Sequence, residues 1–586
     1  MAEERATGRD LHGARACRLI LHPALSLVVA ACLIALVGWT GKVTSLQHWA
    51  TTAAGIIFAF ERAWLYRALR PQGREYRRLA LHAALGGVVF VVAVVLLLRP
   101  LSEAGEWSLG GHVFIQIAVI CSAIASLIHH QRRFTARAFH PGRVLMGSFL
   151  LIIIGGALLL KMPRCVVEGL TLSWLDAFFT STSAVCVTGL SVHNTALFFS
   201  DTGQMVILLL IQVGGLGIMT LTFFAAVVLF EGLSLHDRLL LGKMIQENRL
   251  ARIGRTLGFI VAMTFTCEAV GAIVLYASGE GTGDRRVFHA VFHSVSAFCN
   301  AGFSSLPDGL ANETVNGNQV WQVMVMLLIV IGGIGSLAAE DISTWAVTKV
   351  KRRFGVEVVN PRLRVHTRLV LVITAVLIFG GAGVFLLTEF VASSGPENGG
   401  KVLTAFFHSV TARTAGFNTV PMGQIGSLTI QVLMVLMLVG GSPGGTAGGL
   451  RTTVVGVGLA HLWSQLRSGR RGMVVFNRTI PAETGRRALG LIVLAGIWLA
   501  ANFVVLQIFQ ANTGVNETTL LFELVSAFAT VGLSLDLTPH LTEGAKAVLI
   551  VNMFVGRIGL LTVMATLIKP DSRPVSGKPT EEILLT

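Results

Sequence analysis

Four short segments of small and hydroxyl-bearing residues each lead to a single glycine, and their spacing is nearly constant. The glycines follow one another at intervals of 113, 114 and 116 residues. Backbone carbonyl oxygens that meet around one axis replace the hydration shell of a cation. Glycine supplies the backbone conformations that an outward-turned carbonyl needs. The pattern predicts a cation-coordinating ring at Gly189, Gly302, Gly416 and Gly532.

The carbonyl oxygens of three residues in each segment are the expected ion ligands. Together these residues are predicted to form the selectivity filter, the part of the pore that contacts the ion. In the third segment the nearest alanine stands four residues before the glycine instead of five, so that copy is one residue tighter. The predicted filter residues are Val187, Thr188 and Gly189; Asn300, Ala301 and Gly302; Thr414, Ala415 and Gly416; and Thr530, Val531 and Gly532.

A short apolar stretch precedes each glycine segment, and one full apolar span lies on either side of the pair. These stretches, near 171–186, 286–299, 401–412 and 517–529, are too short to cross a bilayer. The repeating unit is therefore a span, a half-helix, an extended glycine segment and a second span. Ordinary packing of small residues between helices is the alternative, and four copies at one period argue against it.

Composition sets the class of protein. Of the 586 residues 53% are hydrophobic and 13% are charged, and the mean hydropathy is +0.71. These values exclude a soluble or disordered chain and predict a polytopic helical membrane protein. The twelve candidate spans lie near 19–39, 49–66, 79–99, 112–129, 144–160, 205–230, 257–277, 320–347, 369–391, 426–460, 488–508 and 545–568.

The positive charge is distributed unevenly along the chain. With both termini on the inner side, the inner segments hold 35 of the 46 lysines and arginines, and the outer loops hold eight. This asymmetry follows the positive-inside rule and predicts cytoplasmic termini. It also explains the net charge of +15 without nucleic acid as a partner.

A glycine-rich stretch interrupts the second span of the third unit and is predicted to be a gate below the filter. Six glycines and one proline in ten residues do not form an ordinary helix interior. The predicted gate residues are Gly440, Gly441, Ser442, Pro443, Gly444, Gly445, Thr446, Ala447, Gly448, Gly449 and, from the fourth unit, Arg557.

The same stretch also fits another class of protein. Gly440 to Gly444 matches G-x-S-x-G, so an intramembrane serine hydrolase using Ser442 is the distant alternative. That chemistry needs a histidine within hydrogen-bond reach. The nearest candidates, His293 and His408, precede glycine segments, where polar packing or pH sensing is expected. The chain contains neither a P-loop nor an H-E-x-x-H motif.

Four ionisable residues near the half-helices and spans have a structural and a functional interpretation. Arg557 replaces a glycine found in units one and two, and a mid-membrane charge predicts a partner in the protein interior. It either bonds carbonyls of neighbouring broken helices or faces the ion path and holds the gate closed. Asp176, Glu268 and Glu523 either attract cations or serve in capping and packing.

At these motifs the chain resembles the Trk/Ktr/HKT superfamily of potassium transporters, specifically the prokaryotic membrane pore subunits of the TrkH/KtrB type. The resemblance covers about 144–568. It is carried by the segments 181–190, 212–220, 409–418, 440–453 and 552–559.

The resemblance implies a pseudo-fourfold pore in one chain, a homodimer, and a cytoplasmic ring of nucleotide-binding regulatory subunits. In the family, serine at the first filter position goes with Na⁺ preference, so Gly189 favours K⁺. The expected function is K⁺ uptake across the cytoplasmic (inner) membrane. Na⁺- or H⁺-coupled K⁺ symport on the same fold is the alternative, and no enzyme activity or bound cofactor is expected.

The predicted organisation combines the repeats with additional N-terminal helices. The chain departs from the family in its first ~140 residues, where about four extra transmembrane helices are expected. The predicted divisions are 1–140, an extension; 141–235, 236–350, 351–470 and 471–570, pore repeats one to four; and 571–586, a cytoplasmic tail.

Overall fold

The computed structural model describes residues 141–230, 253–279, 285–312, 317–356, 362–392, 400–467 and 473–567, with residue 315 and isolated residues between 52 and 91. The predicted N-terminal extension, apart from those isolated residues, and the predicted tail at 571–586 lie outside the described residues.

The described chain is almost entirely helical. In each predicted pore repeat a first long helix (the first span of the prediction) is followed by a short half-helix and then by a further helical segment (the predicted second span). Repeat one has α1 (Pro141–Leu160), α2 (Trp174–Val185), α3 (Thr195–Phe198) and α4 (Asp201–Phe230). Repeat two has α5 (Ile253–Ser278), α6 (Arg286–Phe298), α7 (Gln319–Ile334) and α8 (Ser336–Arg353). Repeat three has α9 (Val365–Ala392), α10 (Gly400–Thr411), α11 (Ser427–Leu438) and α12 (Thr452–Arg467). Repeat four has α13 (Ala482–Gln510), α14 (Glu517–Ala529), α15 (Glu543–Ile558) and α16 (Leu560–Leu567).

Three described helices are long and apolar enough to cross a membrane: Gly258–Ser278, Val365–Glu389 and Ala482–Gln510. The pair α7 and α8 passes the same test as one span bent by 102°. The bend falls at Gly335, which has a φ of +85°. Glycine adopts this backbone conformation without steric strain, whereas residues with a Cβ atom do not. Gly559 breaks repeat four in the same way, with φ +94°.

Local sequence explains where the half-helices begin and end. Ser173 caps α2 by accepting a hydrogen bond from the Asp176 amide, and Asn516 caps α14 through the Thr518 amide. Each of the four half-helices ends one to three residues before a residue in the left-handed conformation, and an α-helix cannot continue through that conformation.

A single helical turn follows the glycine segment in every repeat. In repeat one this turn is α3. In the others it is a 3₁₀ turn: Gly309–Ala311, Met422–Gln424 and Thr538–His540. A further 3₁₀ turn lies at Pro163–Cys165.

A β-hairpin joins repeats three and four. Strands β1 (Met473–Val475) and β2 (Arg478–Ile480) pair antiparallel, with Met473 opposite Ile480. Phe476 and Asn477 both have positive φ, as a two-residue type I′ turn requires.

The half-helices form the centre of the protein, and the second spans connect them in a cycle. Each second span packs on the half-helix of the following repeat. The cyclic pairs are α4 with α6, α7 with α10, α11 with α14, and α15 with α2.

The polarity of the surface agrees with a membrane environment. Buried hydrophobic residues concentrate in the half-helices, whereas the spans expose large apolar side chains such as Leu151, Val376 and Ile497. Within the most apolar 18-residue stretch of α13, only 11% is buried inside the protein. Such an apolar exterior suits contact with lipid.

Candidate ion-conduction site

The four glycine segments meet and close into a ring. A Cβ atom placed on Gly189 would lie 2.5 Å from the carbonyl oxygen of Ala301, the residue before the next glycine. The corresponding distances are 2.7 Å from Gly302 to the Ala415 oxygen, 2.3 Å from Gly416 to the Val531 oxygen, and 2.0 Å from Gly532 to the Thr188 oxygen. The last contact returns to the first repeat, so the four segments enclose one axis.

The backbone follows the same unusual course in all four segments. The glycines have φ between +70° and +94°, and the residue two before each glycine also has positive φ. Those residues are Val187 (55°), Asn300 (59°), Thr414 (70°) and Thr530 (51°). A left-handed non-glycine residue costs about 1–2 kcal/mol. Four such residues at equivalent positions mark a strained backbone of the kind found at functional sites.

In each filter segment the first and third residues have positive φ and the residue between them does not. This alternation affects where the backbone carbonyl groups can point. In a regular strand, successive residues face opposite sides. Residues of alternating left- and right-handed conformation can direct successive carbonyls to the same side. The four glycines are partly accessible and the other eight predicted filter residues are buried.

Hydroxyl groups at the ends of the half-helices hold the glycine segments. The Gly189 amide donates to Ser183 Oγ at 3.1 Å, and the Gly532 amide donates to Ser526 Oγ at 3.1 Å. Ser296 Oγ donates to the Phe303 carbonyl, seven residues later, at 2.8 Å. Thr411 Oγ1 donates to the Phe417 carbonyl, six residues later, at 2.7 Å. The third segment is therefore one residue shorter, as its sequence suggests.

The glycine-rich stretch lies between α11, which ends at Leu438, and α12, which begins at Thr452. It packs against the hinge of repeat two: the Ser442 amide donates to the Gly333 carbonyl at 2.9 Å, and the Ser336 amide donates to the Gly444 carbonyl at 3.0 Å. A Cβ placed on Gly448 would lie 2.1 Å from Thr530 Oγ1. The loop therefore lies directly against the predicted filter of repeat four.

Arg557 joins this loop to repeat one. Its side chain is fully buried, Nη1 donates to the Thr446 carbonyl, and Nη2 donates to the Gly214 carbonyl at 2.9 Å. Arg451, at the end of the loop, donates to the Ala447 carbonyl. Within the described part of the chain, Arg557 forms no ion pair and its Nε has no hydrogen-bond partner. Arg557 thus has carbonyl partners both in the loop and on a neighbouring span.

The acidic residues singled out in the sequence have different partners. Asp176 accepts a hydrogen bond from Lys546 Nζ at 2.8 Å, and this ion pair connects repeats one and four. Glu268 is buried and accepts from Gln212 Nε2 at 3.1 Å. Glu523 is buried and accepts hydrogen bonds from Ser534 and Thr538.

The arrangement around Ser442 differs from that of a nucleophile. Ser442 Oγ faces the carbonyl of Pro443 at 3.5 Å. His293 bonds the His289 carbonyl and Ser304, and His408 bonds Thr419. Among the described residues no histidine contacts Ser442 through a hydrogen bond.

Comparison with known proteins identifies the family. The TrkH family, described as cation transport protein, matches residues 110–574. The chain belongs to the TrkH family. Sequence reasoning therefore identified the correct superfamily and the all-α membrane class, and the prediction that the chain is no enzyme is confirmed because its relatives are transporters.

Several TrkH-family relatives are similar over most of their length. The potassium/sodium uptake protein NtpJ of Enterococcus hirae is 33% identical over 75% of this chain and 95% of its own. The Ktr system potassium uptake protein B of Vibrio alginolyticus is 34% identical, covering 78% of this chain and 96% of its own. The Ktr system potassium uptake protein B of Bacillus subtilis is 33% identical, covering 74% of this chain and 94% of its own.

The fold is shared with a solved structure of the family. The potassium transporter TrkH from Vibrio parahaemolyticus matches with a TM-score of 0.58 at 17% identity, covering 89% of this chain and 98% of that one. This TrkH-family chain is therefore a multi-pass membrane protein of the cation transporter fold.

Proposed function

We propose that this protein takes up K⁺ across the cytoplasmic membrane through a channel-like pore. The single observation that carries the proposal is the closed ring, in which each filter glycine abuts the carbonyl of the following repeat. Such a ring offers backbone oxygens from four sides in place of water. In this proposal, the twelve residues predicted from the sequence form the selectivity filter.

The choice of K⁺ rests on two supports. The Ktr system proteins B of Vibrio alginolyticus and Bacillus subtilis are named as potassium uptake proteins. All four filter positions of this chain are glycine, including Gly189, where the superfamily pattern places serine in Na⁺-preferring members. A serine side chain at this position would narrow the ring.

The gate in this proposal is the loop of residues 440–449 together with Arg557. The loop is bonded to the hinge of repeat two at Gly333 and Ser336, and to repeat four by the Arg557 guanidinium. A fixed positive charge beside the loop repels K⁺, and the guanidinium fork holds the loop in place. Conduction then requires that the loop leave its carbonyl contacts.

The uptake function is tested by complementation of a strain that lacks K⁺ uptake, followed by Rb⁺ flux with and without Na⁺. We expect rescue of growth at low K⁺ and Rb⁺ flux that excess Na⁺ does not abolish. Absence of rescue, despite expression in the membrane and the presence of the regulatory partner, would refute the function.

The gate is tested by substitutions at Arg557. A hydrogen bond to a charged group contributes roughly 1.5–3 kcal/mol, so loss of the Thr446 contact in Arg557→Ala should raise basal Rb⁺ flux by about tenfold or more. Arg557→Lys keeps the charge and loses the fork, so its flux should be intermediate. Unchanged flux in a folded Arg557→Ala protein would refute the gating role.

A Na⁺- or H⁺-coupled K⁺ symporter is the second candidate. The name potassium/sodium uptake protein, borne by the Enterococcus hirae relative, favours a role for Na⁺. In coupled transport, Rb⁺ uptake by proteoliposomes should depend on external Na⁺ or on a proton gradient. Uptake that follows the Rb⁺ gradient alone identifies the uniporter.

Assembly and orientation complete the proposal. We expect a homodimer embedded in lipid, with both termini cytoplasmic and a cytoplasmic ring of nucleotide-binding subunits. The designations B and D within the Ktr system of Bacillus subtilis support a transporter of several components. The positive-inside distribution of charge supports the orientation.

A further inference from the structure

The four half-helices carry polar residues at one equivalent position. This position lies nine residues before the filter glycine in repeats one, two and four, and eight before it in the tighter repeat three. Its occupants are Thr180, His293, His408 and Glu523. All four side chains are at most 1% exposed.

In three repeats this side chain bonds a hydroxyl group just beyond the filter glycine. His293 Nε2 lies 2.9 Å from Ser304 Oγ, and His408 Nε2 lies 3.3 Å from Thr419 Oγ1. Glu523 accepts from Ser534 Oγ through one oxygen and from Thr538 Oγ1, at 2.9 Å, through the other. Each bond links the rigid half-helix to the segment that leaves the filter.

The ring of His293 is itself held in orientation by contacts other than the one to Ser304. Its Nδ1 lies 2.8 Å from the His289 carbonyl, which can only accept a hydrogen bond. Nδ1 therefore carries a proton, and when the ring is neutral Nε2 accepts a hydrogen bond from Ser304. The ring also packs edge-on against Trp321, with centroids 5.2 Å apart. A side chain held on three sides keeps its partner in a fixed place.

Repeat one lacks this bond. Thr180 Oγ1 is buried and has no hydrogen-bond partner. Ser191 is the residue that corresponds to Ser304 and Ser534, two positions after the glycine. At this position the chain thus has a link in three repeats and none in repeat one. The half-helix of repeat one is joined to its own exit segment elsewhere, where His193 Nε2 lies 3.4 Å from Asp176 Oδ2.

We propose that His293, His408 and Glu523 are positioning residues of the ion filter, which fix the outer end of three glycine segments at a position where repeat one has no such bond. The proposal rests on the proposed filter function. Breaking a buried bond leaves an unsatisfied polar group in a medium of low dielectric, so these links resist movement. A ring that cannot contract coordinates the smaller Na⁺ poorly. The links therefore favour K⁺ over Na⁺.

The test removes the equivalent hydroxyl from two repeats. Ser534→Ala breaks a link, whereas the matched control Ser191→Ala breaks none. Both proteins, purified as full chains in lipid nanodiscs, are compared with the wild type by amide hydrogen exchange of residues 531–536 and 188–193. The ratio of Rb⁺ to Na⁺ uptake is then measured in proteoliposomes.

We expect Ser534→Ala to increase exchange at 531–536 and to lower the Rb⁺/Na⁺ uptake ratio by about tenfold, because the lost bond joins a carboxyl group. Ser191→Ala should change neither quantity. Glu523→Ala, which removes the acceptor of both hydroxyls, should lower the ratio at least as much as Ser534→Ala.

Two results would overturn the proposal. One is unchanged exchange at 531–536 in both Ser534→Ala and Glu523→Ala. The other is an equal effect of Ser191→Ala and Ser534→Ala. A wild-type protein that takes up no Rb⁺ would instead refute the proposed function, and the exchange measurement would still decide whether the links hold the segments.

Discussion

The substitution Gly189→Ser tests the filter most directly, because the structure specifies what the new side chain would meet. Its Cβ would lie 2.5 Å from the Ala301 carbonyl oxygen and 3.1 Å from Gly302 Cα. Ordinary contact begins at 3.4 Å, so the Ala301 carbonyl must move by about 0.9 Å. The contacting atoms belong to the backbone and cannot yield by rotation of a side chain.

Two separable effects are expected. Gly189 has φ +94°, so any other residue there costs about 1–2 kcal/mol of stability. A displaced carbonyl of the adjacent repeat should also lower the Rb⁺/Na⁺ permeability ratio by about tenfold, which corresponds to about 1.4 kcal/mol. The two effects are measured by thermal unfolding in detergent and by flux in proteoliposomes.

The matched control is Gly169→Ser. Gly169 has a similar φ of +87°, but a Cβ placed there has no atom within 4 Å. This variant should therefore show the loss of stability and an unchanged permeability ratio. An unchanged ratio in Gly189→Ser, or an equal fall in both variants, would refute the assignment of Gly189 to the filter.

Three further predictions concern the loop and the closure of the ring. Deletion of 442–448 should raise basal Rb⁺ flux and leave the Rb⁺/Na⁺ ratio nearly intact, whereas lost flux in a folded protein would mark the loop as structural. Gly335→Ala should also raise basal flux, because its Cβ would lie 2.8 Å from the Pro443 carbonyl oxygen in the loop. The control is Gly559→Ala, which has the same backbone strain but whose Cβ would have no atom within 4 Å. This variant should lower only the melting temperature. Asp176→Asn should lower the free energy of unfolding by ~1–3 kcal/mol by leaving Lys546 without its carboxylate, and an unchanged melting temperature would show that this pair does not hold repeats one and four together.

Local features of the chain were predictable because the sequence contains them four times. The short apolar stretches before the glycines predicted the half-helices, and the stretch near 517–529 matches α14, Glu517–Ala529. Apolar length and composition predicted the membrane class, since a bilayer sets the length of its spans. The shorter third segment was visible from one alanine and reappears in the Thr411–Phe417 bond.

Contacts between repeats depended on tertiary structure. Gly214-Gly-Leu-Gly217 and Gly332-Gly-Ile-Gly335 differ by one aliphatic residue, yet α4 continues through the first and the chain bends at the second. The bend is stabilised by the 440–449 loop, which bonds Ser336 through the Gly444 carbonyl. Local propensity is a weak preference that such packing overrides.

Side-chain partners were likewise beyond the reach of the sequence. Asp176 could have been a free carboxylate at the pore mouth, but Lys546, 370 residues away, pairs with it. Composition and periodicity by themselves determined a helical membrane protein with four glycine segments at nearly equal spacing. Only the folded chain decided that Arg557 meets Thr446 and Gly214, and that Glu523 is linked where Thr180 is not. The physical reason is that a hydrogen bond requires two groups to meet within about 3 Å, and residues hundreds of positions apart meet only when the ring of helices closes.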